Sequence, residues 1–258
     1  MAAKVIAIAN QKGGCGKTTS AINITDGLRH KGYKVLLWDL DPQCNSTSHY
    51  GAKTTDTVTT LDIFDGESTA VDAIQHTDKG DIIPCDKGLV GRDMEFSAKT
   101  GGQIIVKSKI KPLLDVYDFI IFDTPPNVGV FFSNAILAAD GVVIPITPDK
   151  YAIDGVGDIL DTVNQAKEIA NPDLVNYGIL YTGMNKSKNI DREIAEGLPK
   201  MAKALNFKLF PYVGVCQEIN DAKKNCVSLF DRYPKSKAVA DYKDIVKVLL
   251  KEVKKNGA

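Results

Sequence analysis

The sequence has few aromatic residues, no excess of charge of either sign and no long hydrophobic run. Aromatic side chains make up 7% of the 258 residues, although a hydrophobic content of 44% suffices for one large core. Lysine plus arginine equals aspartate plus glutamate at 32 each, so no overall field attracts the chain to nucleic acid or to an anionic membrane. Any such contact must be local. Because runs of about eighteen apolar residues are absent, no transmembrane helix is expected.

The five cysteines also lack the spacing of a disulfide framework or a metal site. Positions 15, 44, 85, 216 and 226 form no Cys-x-x-Cys pair, and the three histidines are scattered. This usage is typical of a reducing compartment, and we expect a cytoplasmic protein. Met1–Lys4 leads directly into an apolar segment, so neither a signal peptide nor a preceding domain is expected.

Apolar β-branched runs alternate with helical stretches along the chain. This alternation predicts an α/β fold with a mostly parallel central sheet and helices on both faces, formed by one domain over residues 1–258. The predicted strands are Val5–Ala9, Lys34–Trp38, Asp81–Pro84, Phe119–Phe122, Gly141–Ile146, Asn176–Thr182 and a short one near Phe207–Pro211. The predicted helices are Thr18–His30, Gly102–Leu114, Val130–Ala138, Gly155–Ala170, Ile190–Leu205 and Ser236–Lys254.

A glycine-rich segment, Asn10–Thr19, follows the first apolar run and indicates a phosphate-binding loop. Glycines allow successive amide groups to face one anion, and the following helix adds the positive end of its dipole. Lys17 is then placed to contact the terminal phosphates, and Thr18 to offer a hydroxyl to Mg²⁺. The predicted nucleotide-binding residues here are Gln11, Lys12, Gly13, Gly14, Cys15, Gly16, Lys17, Thr18 and Thr19.

Two residues of this loop depart from the usual motif. Gln11 replaces the first glycine, and Lys12 is a second lysine inside the turn. Because Lys12 begins the turn, its side chain is poorly placed to reach the phosphate held by its own loop. It is better placed to serve a neighbouring subunit, as an arginine finger does. The alternative is that Lys12 is a solvated turn residue.

Three aspartates follow predicted strands, where ligands of parallel sheets are bound. Asp39 and Asp41 lie on one side of an extended chain, and Asp123 ends a hydrophobic run in the manner of a Walker B motif. Such carboxylates can hold Mg²⁺ or orient an attacking water molecule. Any one of them alone could equally be a helix cap or turn residue, but three in succession favour the catalytic interpretation.

These segments together resemble a known family. The strings Ala9–Thr19, Val35–Gln43 and Phe119–Pro126 are similar to those of the ParA/MinD family of deviant Walker A P-loop ATPases. The similarity is greatest to short ParA-type partition ATPases without an N-terminal helix-turn-helix domain. It spans nearly the whole chain and includes the closing segment Phe230–Tyr242.

The resemblance implies roles for individual residues. Lys12 would cross to the phosphates of the partner in an ATP-bridged dimer, and Lys17 and Asp41 would complete the catalytic set. Thr18, Asp39 and Asp123 would lie at the metal. The resemblance also implies a second switch at Thr124–Gly129, ATP and Mg²⁺ as cofactors, and adenine contacts at Met184, Asn185 and Pro211.

The implied function is a cycle that segregates plasmid or chromosomal DNA. ATP creates a dimer, the dimer binds nucleoid DNA without sequence preference, and a ParB-like or other adaptor stimulates hydrolysis and release. Family arginines after the sixth and seventh strands are missing here, so lysines would take their place. The candidates are Lys186, Lys188, Lys223, Lys224, Lys243 and Lys247, with Lys251 and Lys254 extending a basic stripe whose alternative role is a solvated helix face.

Two other functions remain open from the sequence. A MinD-like spatial regulator would insert an amphipathic C-terminal helix into a membrane surface, but the last helix lacks the Trp or Phe of such an anchor. An iron–sulfur reductase or assembly ATPase would need cysteines that meet across a dimer axis. Buried packing is instead expected for Cys85, Cys216 and Cys226.

Overall fold

An eight-stranded sheet runs through the computed structural model, which describes residues 2–148, 152–185, 187–204 and 207–256. Its order is β3-β4-β2-β5-β1-β6-β7-β8, and all neighbours are parallel except β3 and β4. The mostly parallel α/β architecture is therefore confirmed. The strands are β1 Lys4–Ile8, β2 Val35–Asp39, β3 Gln75–Thr77, β4 Gly80–Ile83, β5 Phe119–Asp123, β6 Gly141–Ile146, β7 Val175–Met184 and β8 Val213–Gly214.

Helices cover both faces of this sheet. The α-helices are α1 Lys17–Arg29, α2 Asn45–Tyr50, α3 Thr60–Asp65, α4 Asp93–Ala98, α5 Ile105–Lys109, α6 Val130–Ala138, α7 Ala152–Ile169, α8 Asn189–Ala204, α9 Gln217–Lys224, α10 Leu229–Arg232 and α11 Lys237–Asn256.

Alternation along the strands divides the core into two layers. In β1, Val5 and Ala7 belong to the layer that contains Phe96 and Phe131, whereas Ile6 and Ile8 belong to the layer formed with α1 and α11. A strand that is apolar on both faces must be covered on both. Because the central strands are parallel, their carboxyl ends lie at one edge of the sheet, between the two layers.

Two predicted elements differ from the structure, and one short strand was not predicted. The helix expected over Gly102–Leu114 is reduced to α5 between two short 3-10 turns, because Pro112 has no N–H to continue an α-helix. The strand expected near Phe207–Pro211 forms only one bridge, between Leu209 and Ile179, and the ladder resumes in β8. The antiparallel strand β3 was not predicted, because its three residues have no apolar alternation.

The last helix packs against the helix that follows the glycine-rich loop. Tyr242, Ile245 and Leu249 of α11 are buried in the same layer as α1. A Cβ at Gly27 of α1 would lie 2.8 Å from Val246 Cγ2 and 3.1 Å from Phe230 Cζ, so the two helices approach closely at this glycine. Among the described residues, no helix is both long and apolar enough to cross a bilayer.

We expect Gly27→Ala to destabilise the protein, because the added methyl group overpacks the contact between α1 and α11. The expected cost is about 1–3 kcal/mol, read as a lower midpoint in chemical denaturation. Gly197→Ala is the matched control, since Gly197 lies within α8 and its Cβ would meet nothing within 4 Å. The control should be more stable by roughly 0.5–1 kcal/mol. Equal effects of both substitutions would contradict the close packing at Gly27.

Candidate nucleotide-binding site

The loop between β1 and α1 has the backbone of an anion cradle. Gly14 and Gly16 have φ angles of 73° and 87°, which L-residues with side chains rarely adopt. Gly16 precedes α1, so the unpaired N–H groups of the first helical turn open toward the loop. Turns of this type concentrate amide donors on one point. The loop can therefore bind a phosphate group with its backbone alone.

A threonine hydroxyl group is one of the groups that connect the loop to the sheet. Thr182, near the end of β7, donates to the carbonyl of Cys15 at 3.0 Å and lies 3.1 Å from the carbonyl of Ile146. A Cβ at Gly16 would lie 3.1 Å from the same hydroxyl oxygen, so a side chain there would press on this connection. The glycine at position 16 thus serves both the turn and the docking of the loop.

Lys17 is held against its own loop. Its Nζ donates to the carbonyl of Lys12 at 2.7 Å, and the residue is 6% exposed. The backbone N–H of Lys12 donates to Asn10 Oδ1 at 2.9 Å, which fixes the start of the turn. The side-chain amide of Gln11 donates to the hydroxyl of Thr162 in α7 at 2.7 Å. Both lysines thus lie within one fixed turn.

Two cavities meet at the loop. One has a volume of about 280 Å³ and contains Lys17, Thr18 and Asp41 in its wall. The other, of about 310 Å³, lies toward the ends of β7 and β8. Gly14, Gly16 and Thr19 line both. A molecule with a polyanionic end and a larger organic end can therefore bind across the loop, with its anionic end in the cavity beside Lys17.

Asp123 lies opposite Asp39 in the register of neighbouring strands, and both are 0% exposed. Oδ2 of Asp123 accepts a hydrogen bond from the Ser46 hydroxyl at 2.7 Å, whereas Oδ1 has no partner among the described residues. Burial and the neighbouring charge of Asp39 raise the pKa of Asp123, and the nearby Thr18 hydroxyl counteracts a small part of this shift. An unsatisfied buried carboxylate oxygen is costly unless a cation or a proton occupies it.

Asp39 is engaged on both oxygens. Oδ2 accepts from the backbone N–H and the hydroxyl of Thr47 at 2.9 and 2.7 Å, and Oδ1 accepts from the N–H of Asp41 at 3.1 Å. Burial raises the pKa of Asp39 to about 7, although these hydrogen bonds favour the charged form. Its geometry is that of a positioning residue, since it fixes the loop that presents Asp41.

Asp41 faces the cavity that contains Lys17. Its Oδ1 accepts from the N–H of Gln43 at 3.0 Å, and the residue is 6% exposed. Burial raises the pKa of Asp41, and the charge of Lys17 acts in the opposite direction. A carboxylate in this place can accept a hydrogen bond from a water molecule next to a bound phosphate.

The residues at this site fit a magnesium ion whose ligands are mostly phosphate oxygens and water rather than protein carboxylates. Within the described ranges, no three or more His, Cys, Asp or Glu side chains are grouped to hold a metal. Mg²⁺ is commonly bound through one or two carboxylates together with phosphate oxygens and water. The Thr18 hydroxyl and the unpartnered oxygen of Asp123 meet this requirement. The expectation that Asp39 binds metal fits less well, because Thr47 and Asp41 occupy its oxygens.

The residues predicted to contact adenine lie close in sequence to the wall of the second cavity but outside it. Met184, Asn185 and Pro211 do not line it, and the carbonyl of Met184 accepts from the N–H of Val215. Residues of β7, β8 and α9 and of the segment between β8 and α9 line it instead. The register shift between β7 and β8 cannot be read from the spacing of the sequence. The lining residues in these parts of the chain are Thr182, Gly183, Val213, Gly214, Val215, Cys216, Ile219 and Asn220.

The remaining cysteines and lysines are distributed over the molecule. Cys85 is buried as predicted, but Cys216 and Cys226 are partly exposed, contrary to the expectation of buried packing. Lys186 lies outside the described residues. The other predicted DNA-binding lysines are all exposed: Lys188, Lys223, Lys224, Lys243 and Lys247.

Known proteins are similar to this chain in both sequence and architecture. A family model described as an AAA domain matches residues 3–176. The sporulation initiation inhibitor protein Soj of Bacillus subtilis is 33% identical over 257 residues, which cover 98% of this chain and 99% of that protein. The chain belongs to the ParA/MinD family. The chromosome-partitioning ATPase Soj of Thermus thermophilus is 38% identical over 178 residues, which cover 69% of this chain and 68% of that protein.

Solved structures confirm the P-loop fold of this ParA-type ATPase. Cobyrinic acid a,c-diamide synthase from Mycobacterium smegmatis, with bound ATP analog and magnesium, superposes with a TM-score of 0.84 at 28% identity, covering 99% of this chain and 97% of that one. Apo McdA from Cyanothece gives a TM-score of 0.83 at 25% identity, covering 96% and 99%. The family resemblance seen in the glycine-rich loop is thereby confirmed over the whole architecture.

Replacing Asp123 with Asn tests the metal assignment. The substitution removes a buried charge but keeps an acceptor for Ser46, so the metal-free protein should melt higher, by about 2–4 °C per kcal/mol gained. Burial raises the pKa of Asp123 in the folded state, so the wild-type protein loses stability as the pH rises and this carboxyl group ionises. The stability gained by Asp123→Asn should therefore be larger at pH 8 than at pH 5.

The added stabilisation by Mg-ATP should disappear in the same variant. Thermal melts with ATP, with and without Mg²⁺, measure both effects. Asp115→Asn, at an exposed position, is the control and should behave as the wild type. An Asp123→Asn protein that Mg-ATP stabilises as strongly as the wild type would remove Asp123 from the metal site.

Proposed function

We propose that this partition ATPase binds Mg-ATP across the two cavities, forms an ATP-bridged homodimer and holds nonspecific double-stranded DNA until hydrolysis releases it. The observation that supports this best is the meeting of the two cavities at Gly14, Gly16 and Thr19. The nucleoside would occupy the cavity beside β7 and β8, and the terminal phosphate would lie beside Lys17 and Asp41.

Residues that line the cavity beside Lys17, together with the buried Asp123 and Asp39, would have distinct parts in hydrolysis. The loop amides and Lys17 would neutralise the phosphate oxygens, and Thr18 and Asp123 would hold Mg²⁺. The metal ion supplies charge neutralisation at the terminal phosphates. Asp41 accepts a hydrogen bond from the water that attacks the terminal phosphorus, and ADP leaves from the opposite side. Asp39 keeps Asp41 in place through the hydrogen bond from the N–H of Asp41 to its own carboxylate.

Lys12 completes the site in trans. It begins the turn, and its backbone is fixed by Asn10 Oδ1 and by Lys17 Nζ. A lysine supplied by the second subunit would make hydrolysis depend on dimerisation, as with a charge supplied in trans in other phosphoryl-transfer enzymes. Slow turnover in the isolated protein follows, and a ParB-like or other adaptor would accelerate it.

Exposed lysines provide the surface for DNA. Lys188 follows β7, Lys224 ends α9, and Lys243 and Lys247 lie on the outer face of α11. DNA binding without sequence preference requires charge at phosphates rather than contacts to bases. In the ATP state, the dimer would be associated with the nucleoid.

The structure favours this proposal over a membrane-bound regulator. The apolar residues of α11, including Tyr242, Ile245, Val246 and Leu249, are buried against the rest of the core. Insertion of α11 into a bilayer surface would require these side chains to leave the core, at a cost of about 1.5–3 kcal/mol for each large one.

Lys12→Ala and Asp41→Ala should separate dimerisation from hydrolysis. Lys12→Ala should still bind Mg-ATP but remain monomeric, because the phosphates lose the charge supplied in trans. Asp41→Ala should dimerise and stay dimeric, with hydrolysis slowed at least about tenfold because the attacking water is not oriented. Sedimentation velocity with Mg-ATP and a phosphate-release assay measure these outcomes. Normal dimerisation of Lys12→Ala, or undiminished hydrolysis by Asp41→Ala, would refute the respective role.

Fluorescence anisotropy of a labelled random-sequence duplex tests DNA binding. We expect binding with Mg-ATP, none with Mg-ADP or without nucleotide, and a steep loss of affinity as salt increases. Lys243→Glu with Lys247→Glu should weaken binding, whereas Lys200→Glu, an exposed control on α8, should not. Absence of binding in all three nucleotide states would overturn the DNA-binding part of the proposal and leave the ATPase site intact.

A further inference from the structure

Lys223 differs from the other candidate DNA-binding lysines in its position. It lies in α9 and lines the same cavity as Lys17, Thr18 and Asp41. Sequence alone groups it with Lys224, the adjacent lysine, as a DNA contact. The two neighbours nevertheless point in different directions on a helix, and Lys224 does not line the phosphate cavity.

The helix α9 runs beside both parts of the proposed nucleotide site. Ile219 lines the cavity beside β7 and β8, and Lys223 lines the cavity beside the phosphate loop. Residues four apart lie on one face of a helix, and their separation along the axis is about 6 Å. One face of α9 therefore passes from the nucleoside end of the site to its phosphate end.

Helix α9 also bounds a third cavity, of about 150 Å³, between α1 and α2. Ile219, Ala222 and Lys223 line it from α9, and Asn45 and Ser48 line it from α2. The helix α2 directly follows the loop that carries Asp41. Lys223 thus stands where the phosphate cavity, the Asp41 loop and α9 meet.

We propose that Lys223 binds the terminal phosphate of ATP from within the same subunit, and that it distinguishes ATP from ADP. This rests on the proposed nucleotide site. A lysine carries three donors on a flexible stem and binds phosphate as a point charge. No ion pair within the described part of the chain involves Lys223, whereas Lys237 at the start of α11 is paired with Asp241. Its charge is therefore available to an anion in the cavity.

Contact with the terminal phosphate gives α9 a role in nucleotide sensing. ATP would draw Lys223 toward the loop, and loss of the terminal phosphate would release it. Because Lys224 is the next residue, the position of a DNA-binding lysine would then follow the nucleotide state. The device needs no contact between Lys223 and DNA.

Calorimetric titrations with Mg-ATPγS, a slowly hydrolysed analogue, and with Mg-ADP test this assignment. Lys223→Gln should bind Mg-ATPγS on the order of tenfold more weakly than the wild type, because one charge-assisted hydrogen bond is lost, and should bind Mg-ADP with nearly unchanged affinity. Lys223→Arg should restore most of the preference for Mg-ATPγS. Lys235→Gln is the control for loss of one exposed lysine and should match the wild type. The titrations are repeated with each variant combined with Lys12→Ala, which should remain monomeric. This excludes effects of dimerisation on the measured affinities.

The outcomes separate this inference from the proposed function. Unchanged affinity of Lys223→Gln for Mg-ATPγS, or an equal loss for both nucleotides, would overturn the sensing role while leaving the ATPase assignment in place. A wild-type protein that binds neither nucleotide would overturn both. Selective loss of Mg-ATPγS affinity in Lys223→Gln, with recovery in Lys223→Arg, would establish the contact even if the wild type failed to bind DNA.

Discussion

Two carboxyl groups buried side by side constrain the whole site. Asp39 and Asp123 occupy one register position in adjacent parallel strands, and neither is reached by water. Like charges in a poorly solvated place repel each other, and each loses its hydration. The arrangement is tolerable only if surrounding groups supply donors and if a cation or proton neutralises part of the charge. The loops at this edge of the sheet are arranged to do so.

The short helix α2 supplies most of those donors. Its Ser46 hydroxyl binds Asp123, and its Thr47 binds Asp39 through both backbone and hydroxyl. The Thr47 hydroxyl also accepts from the N–H of Cys85, which ties the end of β4 to the same point. These polar contacts hold α2 against the carboxyl ends of β2, β4 and β5. The short and mostly polar helix α2 is thus held in place by its hydrogen bonds to Asp39 and Asp123.

The sequence predicted the parts of the molecule that depend on local pattern. Glycine-rich turns, apolar strand runs and aspartates at strand ends identified the loop, the central strands and the three carboxylates. The breaks around Pro112, the pairing of β3 and the residues that line the cavity beside β7 and β8 depend on contacts between distant segments. The engagement of Gln11 by Thr162 and the placement of Lys223 in the phosphate cavity are of the same kind. Neither could be read from spacing alone.

The contact of α11 with α1 has a consequence for synthesis of the protein. The helix that presents Lys17 is made well before the residues that cover its outer face, such as Val246. Contacts between distant parts of a chain form late and slowly. During translation, the nucleotide-binding loop would therefore stay incompletely supported until α11 leaves the ribosome.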